Sequence, residues 1–147
     1  MDHKEKLFGR IDYHIHCAKN LPNMDMFSLT DPFVTVEIDG EELGRTKIID
    51  DQLNPVWDKH GSFNINQELD EIRFMVYDKD PVGSEFIGSV TVPVQDLGGG
   101  NKVEGLCVLK GTNQDAPGKL KLSVQYFEGE TMLMKGAMTM MTGIMNP

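Results

Sequence analysis

Two short stretches gather side chains that could hold a cation. Asn23-Met24-Asp25-Met26-Phe27-Ser28-Leu29-Thr30-Asp31-Pro32 carries Asp25 and Asp31, and Asp78-Lys79-Asp80-Pro81-Val82-Gly83-Ser84-Glu85 carries Asp78, Asp80 and Glu85. Any one of these aspartates reads as a turn residue, because Asp hydrogen-bonds its own backbone and tolerates turn conformations. The set asks for more: an Asp-x-Asp, then an acidic residue directly before Phe86-Ile87-Gly88, and a distant run ending Thr30-Asp31-Pro32-Phe33-Val34. If both stretches leave the same end of a domain, five carboxylates converge, and they repel one another until a cation joins them. Calcium fits that donor set, since it takes roughly six to eight oxygen ligands at about 2.3–2.6 Å from carboxylates and carbonyls on irregular loops.

Other chemistry is thinner. His14 and His16 share one face of a strand and could clip a transition metal, but two ligands without a third are a weak signal, and solvated surface histidines are the expectation. Met132-x-Met134 and Met138-x-Met140 could bind Cu(I) or pack on a protein partner as adaptable thioether surface, and a disordered tail is the competing reading. The chain has no G-x-S-x-G elbow, no P-loop and no H-E-x-x-H, and neither cysteine suggests a Cys-His dyad in a pocket. The domain is expected to be non-catalytic.

The elements that must position the acidic stretches are strands. Short alternating or apolar runs recur between turn residues, and no helix-period stretch stands out before residue 130. The runs predict eight strands: Arg10 to Cys17, Phe33 to Ile38, Glu42 to Ile49, Val56 to Asn64, Glu71 to Tyr77, Phe86 to Val92, Val103 to Leu109 and Lys119 to Phe127. In the first, Ile11, Tyr13 and Ile15 alternate with Asp12, His14 and His16, the period of a strand with one buried face. Asp39-Gly40 is a hairpin signal, while Asn54-Pro55 and Asp80-Pro81 force turning or extended backbone. Gly98-Gly99-Gly100 reads as a linker. Eight strands in 147 residues suit a single all-β domain, an antiparallel sandwich of two four-stranded sheets.

Charge and composition exclude several classes of partner. A net charge of −9 argues against nucleic acid, which needs clustered Lys and Arg. It also opposes spontaneous docking on an anionic membrane. No apolar run approaches the roughly 20 residues needed to span a bilayer, and Met1 to Gly9 is too polar for a signal peptide. Cys17 and Cys107 are no disulfide framework, which fits a reducing, cytoplasmic setting.

Read in order, Ala18-Lys19-Asn20-Leu21-Pro22, Thr30-Asp31-Pro32-Phe33-Val34-Thr35-Val36, Thr46-Lys47, Leu53-Asn54-Pro55-Val56-Trp57, Tyr77-Asp78-Lys79-Asp80 and Phe86-Ile87-Gly88 resemble the signature of a C2 domain over roughly residues 9 to 127. The resemblance implies a calcium- and lipid-binding β-sandwich. It makes Asp25 and Asp31 the first-loop ligands, Asp78 and Asp80 those of the third loop, and the backbone carbonyls of Met24 and Lys79 further donors. Glu85 departs from the pattern, standing where the family usually has Asp in a loop one residue longer. With so few residues before the first strand, the eighth strand falls at the C-terminal end, as in the family's second, circularly permuted topology.

The same resemblance implies calcium-dependent peripheral binding to anionic, phosphatidylserine-like phospholipid, with recruitment from the cytoplasm when calcium rises. Met24, Met26, Phe27 and Leu29 sit among the first-loop acids and Pro81 and Val82 beside the third, an apolar surface expected to be buried in a membrane. The alternative is that Phe27 and Leu29 fold back on the sandwich edge. Arg45, Lys47 and Lys59 form a weak basic patch, diluted by Asp50, Asp51 and Asp58. A calcium-independent protein-interaction module is the rival reading. The domain limits expected are an N-terminal arm over 1–8, the sandwich over 9–128 and a tail over 129–147, where six of the ten methionines lie. Starting at Met and ending in a tail, the chain reads as a small stand-alone adaptor.

Overall fold

In the computed structural model, residues 4–24 and 27–129 are described; Asp25, Met26 and the methionine tail lie outside them. Apolar residues at every second position make eight strands: β1 Glu5–Lys19, β2 Pro32–Ile38, β3 Glu41–Arg45, β4 Val56–Leu69, β5 Glu71–Asp80, β6 Gly83–Pro93, β7 Lys102–Val108 and β8 Lys119–Glu128. They form two antiparallel four-stranded sheets, ordered β4-β1-β8-β7 and β3-β2-β5-β6. The core lies between them. Ile11 and Ile15 of β1, Leu120 and Leu122 of β8, Val34 and Val36 of β2, and Ile72, Phe74 and Val76 of β5 are all fully buried, which is the inward set that the two-residue period requires. β8 pairs with β1, so the first and last strands are neighbours.

The strand set matches the sequence reading, and the ends differ for identifiable reasons. β1 begins at Glu5, inside the stretch expected as an arm, because Glu5 to Phe8 pair with Leu69 to Asn66 and Leu7 is buried. β3 ends at Arg45, short of the expected Ile49. There the buried Thr46 hydroxyl accepts the Val34 N–H and donates to the Lys47 carbonyl, replacing a ladder bond with a side-chain bond. Gly98-Gly99-Gly100 is the end of a 3-10 turn over Val94–Gly100, held by buried Val94 and Leu97, with Gly99 at φ 68°. Cys17 and Cys107 are partly buried free thiols on strands.

Tyr13 ties the two sheets at their open side. Its ring reaches from β1 to the edge strands β3 and β4, where it fills the space that side chains at Gly44 and Gly61 would occupy: a Cβ at either position would stand 2.2 Å from the tyrosine oxygen. Among the described residues, no helix is long and apolar enough to cross a membrane.

Candidate metal centre

The stretch expected as a loop over Asp78 to Glu85 is a tight hairpin. β5 and β6 stay paired to the tip, with Asp80 opposite Gly83 and only Pro81 and Val82 between them. Asp78 and Glu85 are therefore direct cross-strand partners, and like charges opposed in this way destabilise a hairpin. A register shift between Val76 and Tyr77 increases local twist just below the acidic pairs, a common way of re-aiming side chains beside a site. Asp78, Asp80 and Glu85 each bring a carboxylate oxygen within 4.8 Å of the others, and they run from buried at Asp78 to exposed at Glu85. Burying one carboxylate against two others is unfavourable without a compensating positive charge. An all-oxygen set on an exposed hairpin suits calcium rather than a softer metal.

Asp31 joins this group through its backbone. Its N–H donates to Asp78 Oδ1 at 2.9 Å and its carbonyl accepts the Lys79 N–H at 2.9 Å. Its own carboxylate accepts the Asp51 N–H at 2.7 Å, so residues 46–55 also lean on the site, a contact not foreseen from the sequence. Below it, the fully buried Thr30 closes the loop on itself: its hydroxyl donates to the Pro22 carbonyl at 2.8 Å and accepts the Met24 N–H at 3.0 Å. Lys79 turns its ammonium onto the carbonyls of Asp80 and Gly83, capping the tip.

The apolar residues divide. Phe27 is 96% exposed and Val82 97%, with Leu29 at 41%, and Pro81 is exposed beside Val82. The alternative in which Phe27 folds back is not what the structure holds. Met24 differs from its expected place as a membrane contact: it is half-buried against the core, drawn inward by the Thr30 clamp. Ile48, 40% exposed on the neighbouring loop, was missed because the sequence reading placed it inside a strand over Glu42 to Ile49.

The residues expected as a weak basic patch lie on different elements. Arg45 is held by a two-pronged pair with Glu42 at 2.7 Å and lies over the Phe33 ring; its guanidinium holds the Glu42 carboxyl below its ordinary pKa. Lys47 follows β3, whereas Lys59 lies on β4 of the other sheet.

On the outer face of β1 and β4, the histidines have company that the sequence reading lacked. His60 is the cross-strand partner of His14, and Asp58 reaches both.

Comparison with known proteins converges on one family. The C2 domain family matches residues 9–109. Phospholipase D beta 1 of Arabidopsis thaliana is 37% identical over 145 aligned residues, covering 82% of this chain and 13% of that protein. Phospholipase D gamma 1 of the same organism is 35% identical over 156, covering 87% of this chain and 18% of that protein. The chain thus spans under a fifth of the length of these relatives. Among solved structures, a C2 domain of plant Extended Synaptotagmin 1 superposes with a TM-score of 0.71 at 21% identity, over 86% of this chain and 100% of that one. The calcium-bound tandem C2 domains of Extended-Synaptotagmin 2 superpose with a TM-score of 0.71 at 18% identity, over 84% of this chain and 48% of that one. With its motifs in order, its two-sheet sandwich and its acidic hairpin, the chain belongs to the C2 domain family.

Proposed function

We propose that this domain binds calcium at its acidic end and thereby docks peripherally on anionic phospholipid membranes, as a non-catalytic targeting or adaptor module. The observation that carries the reading is the meeting of Asp78, Asp80 and Glu85 within 4.8 Å beside two almost fully exposed apolar side chains, Phe27 and Val82. The carboxylates of Asp78, Asp80 and Glu85 hold the ion, with Asp25, Asp31 and the carbonyls of Met24 and Lys79 as the further ligands that the family pattern assigns. Bound calcium supplies positive charge at the tip of an acidic protein and coordination sites that lipid phosphate or carboxylate can complete. Phe27, Leu29, Pro81 and Val82 then enter the interface, where burial of each large side chain contributes about 1–2 kcal/mol. Lipid and calcium raise one another's affinity, since the coupling is reciprocal.

The calcium-independent interaction module makes the opposite prediction for the same sandwich. Sedimentation with phosphatidylserine vesicles, with calcium and with chelator, separates the two. Calcium-dependent sedimentation that is lost in Asp78→Asn is the expected result; sedimentation indifferent to calcium and to Asp78→Asn would sink the proposal. Cytoplasmic residence with recruitment on calcium elevation follows from the same reading, and the methionine tail is the segment proposed for any protein partner.

A further inference from the structure

The outer face of the β4-β1 pair carries a second constellation that the acidic end does not use. His14 on β1 and His60 on β4 sit directly opposite each other. Asp58, two residues before His60, shares that face. A register shift between Ile15 and Cys17 interrupts both of β1's ladders, and Asp58 takes φ 49° there. His14 Nε2 lies 2.6 Å from Asp58 Oδ1, and His60 Nε2 lies 3.7 Å from the same oxygen. One ligand atom from each of the three residues falls within 4.8 Å of the other two. His16, two residues along β1, holds its ring tilted at 3.4 Å from that of His14, so three of the four histidines in the chain gather on this patch.

Strand pairing and ring stacking, with centroids 3.6 Å apart at 15°, bring His60 to His14, a hydrogen bond joins His14 to Asp58, and the one Asp58 carboxylate faces both imidazoles. What the three groups share is a place where one cation could meet a ligand atom from each. The donor set is two imidazoles and a carboxylate on two paired strands, which suits zinc and similar transition metals rather than calcium or magnesium. Tetrahedral zinc with bonds of about 2.0–2.1 Å separates its ligand atoms by roughly 3.3 Å, between the two distances to Asp58 found here, and the exposed His60 side chain, at 72%, is free to turn out of its stack on His14 toward a shared ion.

We propose that His14, Asp58 and His60 form a binding site for a zinc-like divalent transition-metal ion, three protein ligands with a fourth position open to water or an external donor. The site is separate from the acidic end and does not depend on its assignment.

The test is calorimetric titration of zinc alone into the full chain and into two variants, His60→Ala and the double variant Asp80→Asn/Glu85→Gln. The exposed position of His60 leaves the fold unaffected, which a thermal melt of the metal-free variant checks. Zinc binding near one equivalent, weakened at least about ten-fold by His60→Ala and retained in the acidic-end double variant, is the expected result. Absence of zinc binding, an effect of His60→Ala smaller than that, or loss of the binding in the double variant would overturn the site. Calcium binding by His60→Ala stays at the parental level, so this outcome and that of the calcium reading are scored independently.

Discussion

Asp78 and Glu85 face each other across a hairpin with Asp80 at its shoulder, and the cost of that arrangement is what gives a cation its opening. Replacing one charge should therefore act in two directions. Glu85→Gln is expected to lower calcium affinity at least about ten-fold while leaving the metal-free protein as stable or more stable by about 0.2–1 kcal/mol, the size of a relieved cross-strand repulsion with Asp78; calorimetry and a thermal melt read the two effects. A variant that loses stability and keeps its calcium would mean that the carboxylates are structural. Phe27→Ala and Val82→Ala should each reduce calcium-dependent vesicle binding by about 1–2 kcal/mol, roughly 5- to 30-fold, with calcium affinity in the absence of lipid unchanged. The grouping of Asp78, Asp80 and Glu85 was legible in the sequence because its spacing is local to one short stretch. The inward turn of Met24, the capping of the tip by Lys79 and the approach of Asp58 and His60 to His14 were not, because each depends on a hydrogen bond or a strand register set by residues far away in the chain.

The strands of the sandwich were legible for the opposite reason. Alternation such as Ile11, Tyr13 and Ile15 is written along the chain and does not require a partner, so element identity could be read directly. Strand ends are set by partners: β1 reaches back to Glu5 only because β4 continues to Leu69, and β3 stops where the Thr46 hydroxyl captures a backbone N–H. Acidic residues beside a proline suggested a loop over Asp78 to Glu85, whereas the hairpin keeps its ladder to the tip and confines the turn to Pro81 and Val82. Two substitutions probe how these elements hold the site. Thr30→Val removes a fully buried hydroxyl that bonds Pro22 and Met24, leaving a partly buried carbonyl and N–H without that partner; a loss of about 1–3 kcal/mol is expected, with weaker calcium binding as the first loop loosens. Gly61→Ala drives a Cβ to 2.1 Å from the Tyr13 ring, and since Tyr13 is 6% exposed the strain falls on the core, costing about 1–3 kcal/mol in a denaturant melt. A neutral Gly61→Ala would show that the tyrosine is free to swing out of the sheet edge.

At the scale of the whole molecule, a chain of net charge −9 has no electrostatic reason to approach an anionic surface, and the sandwich places the Asp78, Asp80 and Glu85 group on the hairpin that carries Val82, 97% exposed. Family membership was readable because the motifs are short local runs that occur in the family's order; the methionine tail offers no such pattern. The account stands on the claim that calcium makes the acidic end adhesive. Calorimetric titration of calcium into the full chain, with and without phosphatidylserine vesicles, tests it most directly. Saturable calcium binding that tightens when vesicles are present is the predicted result. Calcium binding of the same strength with and without vesicles, or none in either condition, would contradict it.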